Sequence, residues 1–274
     1  MTALPASPDP IPPRAIGAVR LSTKPGPGGT VIDGLYQQGS AKAVFPRAPR
    51  GLTAVLLNTS GGVTGGDHFE YDLEAGAGTH LTVTTQACER AYRAMGDVPG
   101  RVETSLRVAA DATLWWLPQE TLLFDGCHLH RHLRCDLATG ARALLVEPVC
   151  FGRLAMGETR LTGTITDRIA LTRNGAPLVY DGWHLSGDIT AQMQGAAVGG
   201  GAAAMAALIL VAPEAEAHLD PVRAHLGADG GASLLAPDVL VMRVLARDGY
   251  GLRARLLPIL DHLTGGALPL CWRL

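Results

Sequence analysis

Charged side chains are scarce in this sequence. Aspartate, glutamate, lysine and arginine make up 18% of its 274 residues, and the formal net charge is −2. A chain without strong positive charge lacks the long-range attraction that brings proteins to nucleic acids and anionic membranes, so we expect neither as a partner. Apolar residues make up 47%. That fraction supports a large core, and a surface poor in charge often has patches that other proteins cover.

Cysteines are few and irregularly spaced. Five occur, an odd number, and no two stand in a Cys-x-x-Cys pattern. This favours a reducing compartment over a disulfide framework. The N-terminal residues lack the basic start and apolar run of a secretory signal. The apolar stretch 202–212 is too short to span a bilayer. The sequence therefore predicts a cytoplasmic protein.

Motifs for ordinary catalysis are missing as well. The sequence has no Gly-x-Ser-x-Gly elbow and no His-Glu-x-x-His pair, and its glycine-rich segment 61–67 lacks the Gly-Lys-Ser/Thr ending of a phosphate-binding loop. We interpret this segment as a rigid loop that presents Asp67. A non-catalytic protein is the main hypothesis. A metal-dependent hydrolase using carboxylates and histidines, or a nucleotide-binding protein, stays open as an alternative.

The dominant hydrophobic period is two, which is typical of half-buried strands. Segments 68–73 and 101–108 both alternate between apolar and polar residues. Segment 165–181 predicts a hairpin, because its Asn174-Gly175 dipeptide supplies the two positive φ angles of a type I′ turn.

Helical patterns come late in the chain. Segment 213–226 has acidic residues in its first turn and predicts a helix that Pro221 kinks or divides. Segment 250–263 places leucines at helical spacing and ends at Gly265-Gly266, a typical helix stop.

The fold class that follows is mainly β. We expect one large β-rich domain of many strands over residues 15–274, with about two helices toward the C-terminus. Residues 1–14 are rich in proline and small residues, and we expect them to form a disordered tail. No βαβ alternation, internal repeat or clear linker is visible in the sequence.

Several acidic residues stand at strand ends or within apolar sequence, where a carboxylate must be paired, hydrogen-bonded or exposed. One interpretation is a set of structural ion pairs, such as Glu147 with Arg153, or a turn residue in the case of Asp181. The other is a polar path for a divalent ion, which needs oxygen or nitrogen ligands at intervals. The candidates for this path are Asp67, Glu120, Glu147, Glu158 and Asp181.

Segment 127–135 carries three alternate histidines. In an extended strand His128, His130 and His132 share one face, with neighbours about 6–7 Å apart, while Cys127 and Cys135 share the other. Neutral imidazoles suit nickel and zinc, so these histidines are candidate metal ligands. The alternative is a solvated edge strand that the histidines keep soluble.

Five groups of residues occur in a fixed order after the N-terminal tail. They are Gly61-Gly-Val-Thr-Gly-Gly-Asp67; Thr84-Thr-Gln-Ala with Tyr92-Arg93; Trp116-Leu-Pro-Gln-Glu120 with Phe124; Phe151-Gly-Arg153 with Gly157-Glu158; and Leu263-Thr-Gly with Leu268-Pro269 and Trp272. Each group alone is weak, but the ordered set resembles the urease accessory protein family UreD, also called UreH.

The resemblance implies a β-rich fold without enzymatic activity. It also implies binding to the partner UreF, recruitment of the GTPase UreG through UreF, docking on apo-urease, and delivery of nickel to the urease active site. GTP hydrolysis belongs to UreG in this scheme, which fits the missing lysine in the glycine-rich loop. No cofactor is expected to be bound permanently, and nickel is expected only in transit.

Overall fold

Two β-sheets and a layer of helices form the fold, which a computed structural model describes over residues 13–273. Strands are numbered in chain order through both sheets. The seven strands of the first sheet are β1 (Ile16–Gly26), β2 (Gly29–Gly39), β5 (His68–Ala75), β8 (Gly100–Val108), β11 (Cys127–Leu137), β13 (Thr162–Arg173) and β14 (Ala176–Asp188). The ten strands of the second sheet are β3 (Ala41–Val44), β4 (Leu52–Asn58), β6 (His80–Thr85), β7 (Glu89–Ala91), β9 (Thr113–Leu117), β10 (Thr121–Leu123), β12 (Arg142–Phe151), β15 (Ala204–Val211), β16 (Gly230–Ala236) and β17 (Val239–Ala246).

The middle of the chain runs as a flattened coil. Apart from the short β7 and β10, it alternates between the two sheets from β4 to β13, so that each turn adds one strand to each sheet. The strands β5, β8, β11 and β13 are mutually parallel in the first sheet, as are β4, β6, β9 and β12 in the second. Parallel neighbours need a long crossover. Here the intervening strand in the opposite sheet serves as that crossover. The structure therefore has a repeating unit of two strands, although the sequence shows no repeat.

The main hydrophobic core lies between the sheets. Strands β5 and β8 confirm the alternation predicted for 68–73 and 101–108: Phe69, Leu73 and Leu106 point inward and are at most 1% exposed. The predicted hairpin is also confirmed. Strands β13 and β14 pair antiparallel around Asn174 and Gly175, whose φ angles are +49° and +78°.

A second hydrophobic core lies between the outer face of the second sheet and helix α3 (Gly249–Thr264). This helix confirms the prediction for 250–263. It begins after Asp248, whose carboxylate accepts a hydrogen bond from Gly251 N at 2.7 Å, and it ends at Gly265 with φ +62°. None of the helices within residues 13–273 is long and apolar enough to cross a membrane.

The helical segment predicted for 213–226 is confirmed in its divided form. The segment forms a 3₁₀ helix, η2 (Ala215–His218), and then the short helix α2 (Leu219–Arg223), with Pro221 in its first turn. Proline has no N–H and is tolerated only where a helix begins, so the chain starts a new helix there. A further short helix, α1 (Ile189–Met193), was not predicted. The remaining 3₁₀ helices are η1 (Leu154–Met156), η3 (Gly227–Asp229) and η4 (Leu270–Arg273).

The tail predicted for residues 1–14 lies almost wholly outside the described residues. Where the description begins, the backbone N–H of Ala15 donates to the carboxylate of Asp67 at 2.8 Å. The chain is therefore held from residue 15 onward, close to the predicted start of the β-rich domain.

Trp272 joins the C-terminal segment to the second sheet. Its side chain is fully buried and its indole N–H donates to Leu117 O at 2.9 Å. We expect Trp272→Ala to lower the free energy of unfolding by about 3–5 kcal/mol, because a large cavity opens in the second core. Urea denaturation measures the change. The neighbouring Leu270 is 73% exposed, so Leu270→Ala should change stability by less than about 0.5 kcal/mol. Equal effects of the two substitutions would contradict this packing.

Candidate functional site: a polar cavity between the sheets

A buried arginine links the two sheets through charge. Arg131, on β11 of the first sheet, places one guanidinium nitrogen 2.9 Å from Glu147, on β12 of the second sheet. The same guanidinium donates to Asp167 on the adjacent strand β13 and to the hydroxyl of Thr121 at 2.8 Å. All three charged side chains are at most 10% exposed. Two buried carboxyl groups thus share one cation.

Glu147 receives one further hydrogen bond, from the indole N–H of Trp116 at 2.6 Å. Burial raises its pKa, while the attraction of Arg131 and the Trp116 hydrogen bond oppose the rise. The buried Nε–H of Arg131 has no acceptor among residues 13–273. Unsatisfied buried donors are rare in proteins and usually mark a position that water or an ion completes.

A cavity of about 60 Å³ adjoins this group. It is large enough for a few water molecules. Charged and polar side chains from both sheets form part of its lining, beside apolar groups such as Trp116 and Leu129: Glu89, Gln119, Thr121, Arg131, Glu147 and Asp167. Glu89 brings a third carboxylate. Burial raises its pKa, against hydrogen bonds from Asn58 Nδ2 at 3.1 Å and its neighbour Arg90 N at 3.0 Å.

A second cavity, of about 140 Å³, adjoins the first on the side of the surface residues of β7 and the segment before it. The two share three lining residues: Tyr71, Thr85 and Glu89. The outer cavity is also lined by the exposed residues Gln86 and Arg90. Glu89 therefore lies between the outer cavity, which exposed residues line, and the buried group around Arg131.

The five predicted carboxylates lie apart in the structure, and their role in a metal path stays a prediction. Of the five candidates, only Glu147 lines either cavity. Its predicted pairing with Arg153 is wrong, because its cationic partner is Arg131, while Arg153 pairs with Glu158 at 3.1 Å. The sequence neighbours of Glu147 do not reveal this, since Arg131 arrives from the opposite sheet.

The other candidates serve local structure. Asp67 is 4% exposed and accepts hydrogen bonds from Ala15 N and Thr64 N, both at 2.8 Å, so the glycine-rich loop turns it inward and does not present it. Glu120 pairs with Arg253 at 3.2 Å, and Asp181 pairs with Arg243.

The three alternate histidines share the outer face of the first sheet, as predicted, and are half-buried there. The alternative of an edge strand is wrong, because β11 lies between β8 and β13 in the middle of the sheet. The rings of His128 and His130 lie edge to face with centroids 5.5 Å apart. Within residues 13–273 no three histidine, cysteine or acidic side chains are arranged to hold a metal ion. The metal site on this face stays a prediction.

The chain is similar to known proteins over nearly its whole length. The family model described as UreD urease accessory protein matches residues 15–272. The chain is 51% identical over 262 residues to the urease accessory protein UreD of Roseobacter denitrificans, covering 96% of each chain. It is 50% identical over 244 residues to the protein of that name from Ruegeria pomeroyi, covering 89% of this chain and 95% of the relative. The chain belongs to the UreD family of urease accessory proteins. The resemblance inferred from the ordered motifs is confirmed, and it supports a role in urease maturation.

One set of UreD motif residues, Tyr92, Phe124 and Arg153, forms a cluster of side chains. The Tyr92 and Phe124 rings meet edge to face with centroids 4.9 Å apart, and the Arg153 guanidinium lies 4.2 Å from the Phe124 centroid. Gly62 lies against Tyr92, and a Cβ at Gly62 would come within 2.3 Å of that ring. Only glycine allows the loop to pack so closely, which explains the glycine pair in the motif.

Another set of UreD motif residues ties the C-terminus to the cavity rim. One nitrogen of Arg253, on α3, donates to Gln119 Oε1 at 2.9 Å and contacts Glu120. Its other terminal nitrogen donates to Trp272 O at 2.7 Å. Gln119 also lines the inner cavity. The helical layer and the polar interior are therefore connected through one arginine.

Three charged residues of the candidate site were not predicted: Glu89, Arg131 and Asp167. Arg131 did carry a signal, since it interrupts the apolar face formed by Leu129 and Leu133 on β11. A charged residue at an inward position of a strand needs a buried partner. The identity of the partners depends on which strands become neighbours.

The charged group predicts a pH-dependent stability defect. Arg131→Ala leaves two carboxylates buried without their cation and should lower the free energy of unfolding by about 3–5 kcal/mol. Without Arg131, burial raises the pKa of Glu147 unopposed by that charge. A carboxyl whose folded-state pKa is raised contributes stability that is present at low pH and lost as pH rises.

The gap between wild type and Arg131→Ala should therefore widen from about pH 5 to about pH 8, which urea denaturation at the two pH values measures. Arg134→Ala, at an exposed position of the same strand, is the matched control and should show no such change. A gap that narrows with rising pH would rule out the proposed charge balance.

Proposed function

We propose that this chain is a non-catalytic scaffold of urease maturation, which binds UreF and through it the GTPase UreG, docks on apo-urease, and helps to deliver nickel to the urease active site. Membership of the UreD family supports the maturation role. The observation that supports metal delivery is the pair of adjoining cavities with three carboxylates, Glu89, Glu147 and Asp167, along them.

The chemistry of these cavities suits a cation in transit. A divalent ion cannot enter an apolar interior bare, because its desolvation is too costly, and it needs oxygen or nitrogen donors at short intervals. Glu89 stands where the outer cavity meets the inner one, and Glu147 and Asp167 stand deeper, beside Arg131. The arginine neutralises part of the negative charge. A site with weak net charge and few ligands favours passage over tight retention.

The surface supports a role as a binding partner of other proteins. Large apolar side chains are exposed next to the motif cluster: Met95 (72%), Val98 (64%), Leu154 (48%) and Met156 (77%). They follow Arg93 and Arg153 closely along the chain. Exposed apolar groups rimmed by charged residues are typical of protein–protein contacts. We place the UreF contact on this side as part of the proposal.

Glu89→Gln tests metal delivery. The substitution keeps the shape of the side chain and removes its charge from the junction of the cavities. In a reconstituted activation assay with UreF, UreG, apo-urease, nickel and GTP, we expect the initial rate of urease activation to fall about tenfold, which corresponds to about 1.4 kcal/mol of lost ion stabilisation. Glu147→Gln, deeper along the same route, should act in the same direction.

Glu70→Gln is the control, because Glu70 is exposed on the outer face of the first sheet, and it should activate urease at the wild-type rate. Co-purification of each variant with UreF shows whether assembly is intact. Lost activation with intact assembly supports the route. Normal activation by both cavity variants would place the nickel path elsewhere, and hydrolytic activity or nucleotide binding by the purified chain would favour the alternative classes.

A further inference from the structure

Two histidines outside the cavities meet at the edge of the helical layer. His218 is the last residue of η2, and His262 lies in the last turn of α3. Their nearest nitrogens, Nδ1 of His218 and Nε2 of His262, are 3.0 Å apart. The rings meet edge to face with centroids 5.0 Å apart. The two residues are 44 positions apart in the chain, so tertiary packing brings the nitrogens together.

The nitrogen separation fits two ligands of one metal ion. At metal–nitrogen distances of about 2.1 Å, two ligands that meet at a right angle place their nitrogens about 3.0 Å apart, and tetrahedral ligands place them about 3.4 Å apart. Imidazole nitrogen is a preferred ligand of nickel, copper and zinc. We infer that His218 and His262 form a two-imidazole binding site for a divalent transition-metal ion, with water completing the coordination.

The two rings can replace their mutual hydrogen bond by a metal ion without a change in their charge. With no ion, one ring donates its N–H to the lone pair of the other. A bound ion takes both lone pairs, and the donating ring moves its proton to its other nitrogen, so that both rings stay neutral. Burial lowers the pKa of His218, which favours its neutral form.

The surroundings favour an exchangeable ion over a closed structural site. His262 is exposed and His218 is half-buried, so solvent reaches the space between the nitrogens. No third histidine, cysteine or acidic side chain joins them in a metal-holding arrangement within the described part of the chain. Structural zinc sites use four protein ligands. This inference does not depend on the chain acting in urease maturation.

The experiment titrates nickel chloride into the chelator-treated full-length chain by calorimetry. All proteins carry His128→Ala, His130→Ala and His132→Ala, so that the three alternate histidines of β11 contribute no signal. We compare this parent with His218→Ala and with His262→Gln, which retains a hydrogen-bonding side chain but removes the imidazole. His225→Ala is the matched control, because His225 is exposed in the same segment. The unfolding midpoint of each protein without nickel verifies folding.

We expect His218→Ala and His262→Gln each to lose one nickel equivalent or to bind it at least about tenfold more weakly, since even the loss of a ligand's hydrogen-bond partner commonly costs about 10–100-fold. His225→Ala should bind like the parent. Nickel should raise the unfolding midpoint of the parent and of His225→Ala, because it binds only the folded arrangement, but not of the other two. Parent-like binding by either His218→Ala or His262→Gln would overturn the site.

Discussion

The ion group of Arg131 with Glu147 and Asp167 is the constraint on which the interior depends. It places a cation and two carboxylates between two sheets that otherwise bury apolar side chains. Desolvating three charges costs several kcal/mol for each, and their attraction offsets this cost only while the geometry is kept. The two sheets must therefore hold a fixed separation and register at this point. The inner cavity adjoins this group, and charged, polar and apolar side chains share its lining.

The flattened coil supplies the rigidity that this group requires. Each turn adds one parallel strand to each sheet, so residues from β9, β11, β12 and β13 meet at one level of the coil. The outer face of the second sheet is covered by α3 and the C-terminal segment over a second apolar core. That core stabilises the domain without contributing charge. The outer face of the first sheet carries the three half-buried histidines of β11.

The UreD motifs share one role, which is to hold the loops around the cavities in place. The glycine-rich loop lies against Tyr92, the Phe124 ring lies under Arg153, and Gln119 and Glu120 are held by Arg253. Each contact fixes a loop that borders the cavities or the surface next to them. Motifs that look functional in the sequence thus position the site, while its three carboxylates, Glu89, Glu147 and Asp167, lie outside these motifs.

The sequence by itself determined what local patterns encode. Alternation fixed which residues of β5, β8 and β11 point inward, Asn174-Gly175 determined the hairpin, leucine spacing determined α3, and ordered motifs determined the family. Tertiary structure alone decided the parallel coil, the pairing of Glu147 with Arg131, and the meeting of Glu89 with the inner cavity. The reason is physical. Strand periodicity gives the face of a side chain, whereas its partner depends on which distant strands become neighbours, and long-range parallel pairing leaves no local pattern.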